Sequence, residues 1–405
     1  MKNIFGNTIE LLAPAGDFSR LKTAFYFGAD AVYIGGKEYS LRAKSVNFSE
    51  DEITEAVKYT HALGKKLYVT VNIFAKNTDI CEIEKYAIFL ENAGVDGVIV
   101  SDLGVFKIFR TLTNLEIHIS TQANVCNSYA AMQYAELGAK RIILARELPI
   151  KDISEICKCL EGRADMEVFV HGAMCMSYSG RCLMSKYMTG RDANRGDCAH
   201  PCRYKYDLQY VLQEEKRPGE YFSVQEDING TYIMNSRDLC LINKLNELAE
   251  AGIASFKIEG RMKNEHYAGG VVNVYRRAMN GEKFDYAAEL EKLPHRPFTT
   301  GFTFGDDHKE FTKSSAVILN YKIAAVAAEK NQDLAALERS GIDEVQIRIK
   351  NKIETGDEME ILSPSENNGK TFVYNGNTVN VPEQIVSINC PYKLEPYDIL
   401  LKKLR

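Results

Sequence analysis

The chain has 405 residues, 45% of them hydrophobic, and a formal net charge of -5. That apolar content supports a real core and excludes a disordered chain, and the length suits one large domain followed by a smaller one. The acidic balance excludes a protein whose whole surface binds nucleic acid, while leaving room for a local basic patch.

At the N-terminus, MKNIFGNTIELLAPAG has its apolar runs broken by Asn7 and Glu10 before a signal-peptide core forms. No apolar run approaches the roughly 20 residues a bilayer requires. A cytoplasmic chain with no membrane association and with reduced thiols is expected.

Eight short segments then follow in chain order: ELLAPAG (10–16), FGADAVYIGG (27–36), KLYVTVNI (66–73), AGVDGVIVSD (93–102), EIHISTQ (116–122), LGAKRIILARE (137–147), EVFVHGA (167–173) and AGIASFKIEGR (251–261). Four of them repeat one phrase, a helix end, a glycine and a β-branched run. Gly28, Gly94, Gly138 and Gly252 predict left-handed helix caps, and the runs after them predict strands buried on both faces. Eight such strands predict an α/β fold of the TIM-type (β/α)8 barrel class. The competing doubly wound dinucleotide sheet needs GxGxxG after its first strand, and LAPAGDF lacks it.

The barrel is expected to span residues 1–290, with an insertion at 174–245 after strand seven. Inside the insertion YDLQYVLQ and EYFSVQED flank KRPGE, which predicts a β-hairpin. HYAGGVVNVYRRAM predicts an amphipathic helix closing the barrel, and residues 291–310 gather Pro294, Pro297, Gly301 and Gly305 as a linker. Alternating segments over 311–405 predict a small β-barrel domain whose nearly balanced charge gives no sign of RNA binding.

Cys175, Cys182, Cys198, Cys202 and Cys240 place half of the ten cysteines in the insertion. Their uneven spacing suits an iron–sulfur cluster held from separate loops, whereas zinc knuckles favour CxxC pairs, which are missing here. Zinc and redox or structural thiols remain the alternatives at this level. A βα loop after strand seven lies at the C-terminal face of a barrel, where active sites form.

Polar residues ending the predicted strands are the catalytic candidates, because core packing does not explain them: Asn72, Ser101, Asp102, Thr121, Gln122, Arg146, Glu147, His171, Glu259 and Arg261. ARE and EGR each set an acid near an arginine, which suits an anionic substrate and proton transfer, or a salt bridge at the mouth. His171 is expected either as a donor beside the cysteines or as a partner of backbone. HExxH and GxSxG are absent, and a cysteine nucleophile beside His171 is the hydrolytic alternative. Across 175–206, Arg181, Lys186, Arg191, Arg195, Arg203 and Lys205 outnumber Asp192 and Asp197 and interleave with Tyr178, Tyr187, Tyr204 and Tyr206. Arg181, Lys186, Arg191, Arg195, Arg203 and Tyr204 are the candidates for holding single-stranded RNA, against the alternative of a solvated basic face.

ELLAPAGDF, ADAVYIGG, STQANVCN, ARELPI, FVHGAMCMSYSGRCLMS and IEGRMKNEHYAGGVVNVYR together resemble the peptidase U32 family, also called collagenase-like proteases, through the whole barrel. The domain after the linker is similar to that of the family's tRNA-hydroxylating branch; short members, which hydroxylate ubiquinone precursors, stop after the barrel. The resemblance implies an oxygen-independent enzyme with a 4Fe-4S cluster that converts the wobble uridine of tRNA to 5-hydroxyuridine, with prephenate as a small carboxylate co-substrate. By motif position it implies Cys175, Cys182, Cys198 and Cys240 as cluster ligands, with Cys202 as the spare. It also implies a base flipped into the barrel mouth and Arg146 or Arg261 on the carboxylate. A U32-type peptidase, and a hydroxylase of ribosomal RNA or of a quinone precursor, are the alternatives. A paralogous partner or a homo-oligomer is left open.

Overall fold

In the computed structural model, residues 9–41, 47–175, 177–178, 181–203, 237–305, 318–328 and 344–404 are described, with four short strands between 204 and 236. Strands β1 (Glu10–Pro14), β2 (Ala31–Gly35), β3 (Lys66–Val71), β4 (Gly97–Val100), β5 (Glu116–Ile119), β6 (Arg141–Ile143) and β7 (Asp165–Ala173) pair in sequence, each parallel to the next. Next come β8 (Leu212–Gln213), β9 (Tyr221–Phe222), β10 (Gln225–Asp227), β11 (Gly230–Tyr232) and β12 (Asp238–Cys240). The eighth barrel strand, β13 (Ser255–Ile258), runs parallel to both β7 and β1 and closes the barrel.

Helices α1 (Phe18–Tyr26), α2 (Glu50–Ala62), α3 (Ile80–Ala93), α4 (Leu103–Leu112), α5 (Ser128–Leu137) and α6 (Ile150–Cys159) alternate with β1–β7. Short polar side chains start them, because the first N–H groups of a helix lack intrahelical acceptors. Asp17 accepts from Arg20 N, Ser49 and Glu52 form a capping box, and Asn127 accepts from Ala130 N. At the other ends Gly28, Gly94, Gly138 and Gly252 all take positive φ as expected. The strands between are almost wholly buried, since helices cover their outer face and the other strands their inner one.

β8 and β9 pair antiparallel, in keeping with the expected hairpin, while its KRPGE turn lies outside the described residues. After α7 (Met184–Thr189) and α8 (Leu245–Glu250), the long α9 (Glu265–Met279) packs on α1 and is followed by α10 (Tyr286–Glu291). The expected amphipathic helix α9 is nonetheless covered on both sides, with twelve of its fifteen residues buried. Its outward side is covered by the C-terminal domain, where Asn273 Nδ2 donates to Ser363 O at 3.4 Å and Lys350 Nζ reaches Glu265 at 3.1 Å. Within the segment read as a linker, β14 (Phe298–Thr299) pairs parallel with β12 and extends the barrel sheet.

The C-terminal domain contains β15 (Tyr321–Ala327), β16 (Glu344–Ile349), β17 (Glu358–Leu362), β18 (Thr371–Val373), β19 (Ile385–Asn389) and β20 (Ile399–Lys403). They form one curled antiparallel half-barrel in the order β18-β17-β20-β15-β16-β19 around its own core. Ile323, Leu362, Ile399 and Leu401 join the barrel's core cluster instead, so the two domains share an apolar seam. Among the described residues, no helix is long and apolar enough to cross a membrane.

Candidate active site

The C-terminal ends of the barrel strands and the cysteine-bearing segment after β7 enclose a cavity of about 530 Å³. Its walls carry cations from two strand ends, Arg146 after β6 and Lys257, Arg261 and Lys263 on and after β13, together with Glu259 and Gln122. Arg261 is buried, and its Nη1 donates to Ser40 Oγ and Thr70 Oγ1, each at 2.7 Å. Gly35 makes room for it, since a Cβ there would fall on the guanidinium. Arg146 donates from Nη1 to Ala173 O at 2.9 Å and lies 5.3 Å from the Phe169 ring centroid.

Glu259 is approached by the Tyr33 hydroxyl at 3.3 Å, and the same hydroxyl donates to Ile258 O at 2.9 Å. Burial, reinforced by the Glu259 charge, pushes the Tyr33 phenol well above its usual range, so it stays a proton donor. The two acid–arginine pairs therefore differ. Glu259 and Arg261, two residues apart, both face the cavity, whereas adjacent Arg146 and Glu147 part company and Glu147 is not in the cavity wall. The Glu147 carboxyl is half-buried and its pKa is raised by burial against the opposing pull of Arg146.

Gln122 is buried in the short turn after β5, where Ser120 Oγ contacts its side-chain oxygen at 3.4 Å. Asn72 and Thr121 also line the cavity. Ser101 and Asp102 serve the scaffold: Ser101 Oγ donates to Asn72 O at 2.9 Å, and Asp102 caps α4 by accepting from Gly104 N and Val105 N. His171 lies behind the wall. Its ring packs against Tyr267, Tyr275 and Phe298, with Nδ1 3.4 Å from the Tyr275 hydroxyl. Burial, with smaller contributions from the His295 and Lys263 charges, pushes its pKa down to about 3, which keeps it neutral.

Cys175, Cys182, Cys198 and Cys202 all line the cavity. Cys240 sits on β12 in register with His171, outside the cavity wall, with its thiol raised by burial and in hydrogen-bonding contact with Tyr275. All the chain's cysteines are free thiols, so none of this set is tied up in a disulfide. Thiols of this number on one cavity are the donors that iron–sulfur centres use. Among the described residues, however, no group of three or more His, Cys, Asp or Glu side chains is gathered around a single point.

A family model for peptidase family U32 matches residues 16–313. The chain belongs to that family. Its similarity to the tRNA hydroxylation protein P1 of Bacillus subtilis is 35% identity over 421 residues, covering 99% of this chain and 96% of that one. The tRNA hydroxylation protein P of Escherichia coli is 35% identical over 402 residues, covering 88% of this chain and 87% of its own length. The 23S rRNA 5-hydroxycytidine C2501 synthase of Escherichia coli is 34% identical over 277 residues, 68% of this chain and 40% of that one.

On this U32 chain the basic residues of the insertion divide into two groups. Arg181 and Lys186 are exposed, as are Tyr178 and Tyr187, the latter 91% so. Arg191 and Arg195 are ion-paired instead, with Asp197 at 2.7 Å and Asp79 at 2.8 Å. The Arg203 side chain and Tyr204 lie outside the described residues.

Sequence reasoning missed Lys257, which is 3% exposed, lines the cavity, and has its ammonium 4.5 Å from the Tyr33 ring centroid. Its partner is Glu167 on β7, at 2.8 Å and fully buried. The signal was present as a charged residue inside an otherwise apolar strand, SFKI and MEVFV, twice over. Such a residue needs a buried partner or a cavity, and here it has both.

Proposed function

We propose that this chain is an RNA hydroxylase that forms 5-hydroxyuridine at the wobble position of tRNA without molecular oxygen. The observation that carries this reading is its near full-length similarity to proteins named for tRNA hydroxylation, C-terminal domain included. The cavity agrees in kind: its volume is within the roughly 300–1,000 Å³ of small-molecule sites, and it opens where a flipped base would enter.

Cys175, Cys182, Cys198 and Cys240 are assigned as holders of a 4Fe-4S cluster, with Cys202, which shares the cavity wall, as the competing donor for the place of Cys198. A cluster bound there supplies electron transfer or a site for the oxygen donor. Exposed Arg181 and Lys186 would meet phosphates in this reading, and exposed Tyr178 and Tyr187 would stack on bases splayed from the anticodon loop. Inside, Arg146 and Arg261 hold the carboxylate of a small metabolite such as prephenate, and Glu259 receives or returns a proton beside them. Their guanidiniums are gripped by a backbone carbonyl and by hydroxyls, which fixes their direction.

The peptidase alternative expects His171 beside a nucleophilic cysteine; the cysteine opposite His171 is Cys240, whose thiol is raised by burial, and His171 is not in the cavity wall that Cys175, Cys182, Cys198 and Cys202 line. Mass spectrometry of tRNA nucleosides from a deletion strain tests substrate and reaction together: 5-hydroxyuridine should vanish and return on complementation. Unchanged nucleosides would overturn the reading. Anaerobically purified protein should be brown, with iron and sulfide in cluster ratio; a colourless, iron-free protein would remove the cluster assignment.

A further inference from the structure

We propose that Asp79 and Arg195 form a latch that holds the cysteine-bearing segment across the barrel mouth, which makes both of them positioning residues for the cavity thiols. The segment leaves the barrel at the end of β7 and returns through β12, which pairs with that same end of β7, Asp238 opposite Ala173 and Cys240 opposite His171. Both covalent ends are therefore anchored at one wall. Nothing in the chain connectivity carries the middle of the segment over the mouth.

Contacts at the far side do. The connection between β3 and α3 lies four strands from β7 around an eight-stranded ring, on the opposite wall. There Arg195 donates from Nη1 to Asp79 Oδ2 at 2.8 Å and to Phe74 O at 3.0 Å, and from Nη2 to Asp79 Oδ1 at 3.2 Å. Phe74 N donates to Asn194 O at 3.2 Å beside it. This is a two-pronged charge-assisted contact, and the side chains are only 28% and 15% exposed, so it is stronger than a fully solvated pair.

Both partners are themselves braced. Asp79 accepts from Lys76 N at 2.7 Å, and the loop bearing Arg195 is closed by the Arg191–Asp197 pair. Three residues after Arg195 comes Cys198, whose carbonyl also contacts Arg191 Nη2 at 3.5 Å. A second tie lies next to Cys182: Arg181 Nε donates to Asn124 Oδ1 at 2.6 Å, with its guanidinium 5.7 Å from the Phe74 ring. Each tie thus sits within three residues of a cavity cysteine. Releasing the latch leaves the far side of the segment held only by the Arg181 tie and the single Phe74 N–Asn194 O bond, where chain entropy favours many placements over one.

The inference rests on the cavity thiols being the working groups of this site, and not on tRNA as substrate. Its test uses full-length, reduced, metal-free protein and a maleimide, with alkylation of each cysteine followed by peptide mass spectrometry. Arg195→Met, which leaves the Asp79–Lys76 contact intact, and Asp79→Asn should each speed the labelling of Cys182 and Cys198 about tenfold. Cys159 on α6 and buried Cys157 should label at the parent rate. The exchange Asp79→Arg with Arg195→Asp should restore slow labelling. Parent rates at Cys182 and Cys198 in both single variants would overturn the latch, as would a parallel rise at Cys157, which marks general loosening. Because no RNA is present, failure here leaves the hydroxylase reading standing, and unchanged tRNA nucleosides leave the latch standing.

Discussion

The two ends of the barrel hold their charges in opposite ways. At the floor, Arg141 on β6 lies 2.5 Å from Glu10 and 3.2 Å from Glu167, and Glu167 meets Lys257 at 2.8 Å. Burial by itself would raise the Glu167 carboxyl, but the Lys257 and Arg141 charges hold it below its usual range. At the mouth, Arg146 and Arg261 are gripped by a carbonyl and by hydroxyls and present themselves to a cavity. The difference separates charges paired with one another inside the barrel from charges that face an open cavity. Lys257 belongs to both sets, since its partner lies in the floor while its ammonium lines the cavity.

The largest effect should come from breaking the floor. Glu167→Ala strands buried Lys257, takes one of its carboxylate partners from Arg141, which keeps Glu10, and should cost about 3–5 kcal/mol in urea denaturation, because an uncompensated buried charge is far worse than a buried pair. A loss under about 1 kcal/mol would mean that water reaches the floor and that the contrast with the mouth is false.

At the mouth the sign of the contrast reverses. Arg261→Ala and Arg146→Ala should lower tRNA modification about 100-fold, the size expected when a charged hydrogen bond to a reacting ligand is lost. Folding stability should fall less than in Glu167→Ala. Unchanged modification in a tRNA assay would sink the carboxylate-binding role.

Acid should weaken the fold through histidines that belong to neither set. His171 and His266 are held neutral, each with its pKa pushed by burial down to about 3. The unfolded chain binds those protons near pH 6.5, so stability is full above that pH and is lost as pH falls toward 3. Between pH 7 and 5.5 the two together should cost roughly 2 kcal/mol, measured as a fall in the urea midpoint. A flat profile over that range would show that the buried pair titrates normally.

The smallest effect should come at the seam between domains. Tyr26 donates to the fully buried Asp398 at 2.8 Å, and Tyr26→Phe should cost about 1 kcal/mol without altering cavity chemistry. A matching loss of tRNA modification would show that the C-terminal domain bears on the mouth.

Much of the barrel was legible because its signals are local. A glycine that must turn left-handed after a helix, followed by a β-branched run, is written within about ten consecutive residues, and four such runs with four further apolar segments between them found all eight strands. Polar strand ends led to Gln122, Arg146, Glu259 and Arg261, all of which line the cavity. The same rule misplaced Ser101 and Asp102, because a polar residue between a strand and a helix caps the helix as readily as it faces a site. His171 went behind the wall because β12 pairs along the far half of β7, a contact that depends on residues some seventy positions apart.

Chain order and residue type, taken alone, determined the closed barrel, the domain that follows it, the cysteine-rich segment after its seventh strand and the U32 resemblance, since each rests on periodicity or on a contiguous motif. Only the tertiary structure decided which charges face each other. It paired Lys257 with Glu167, sent Arg191 to Asp197 and Arg195 to Asp79, and set Cys240 apart from the cysteines of the cavity wall. A salt bridge needs two side chains within a few ångströms, and closing the barrel is what brings such distant positions together.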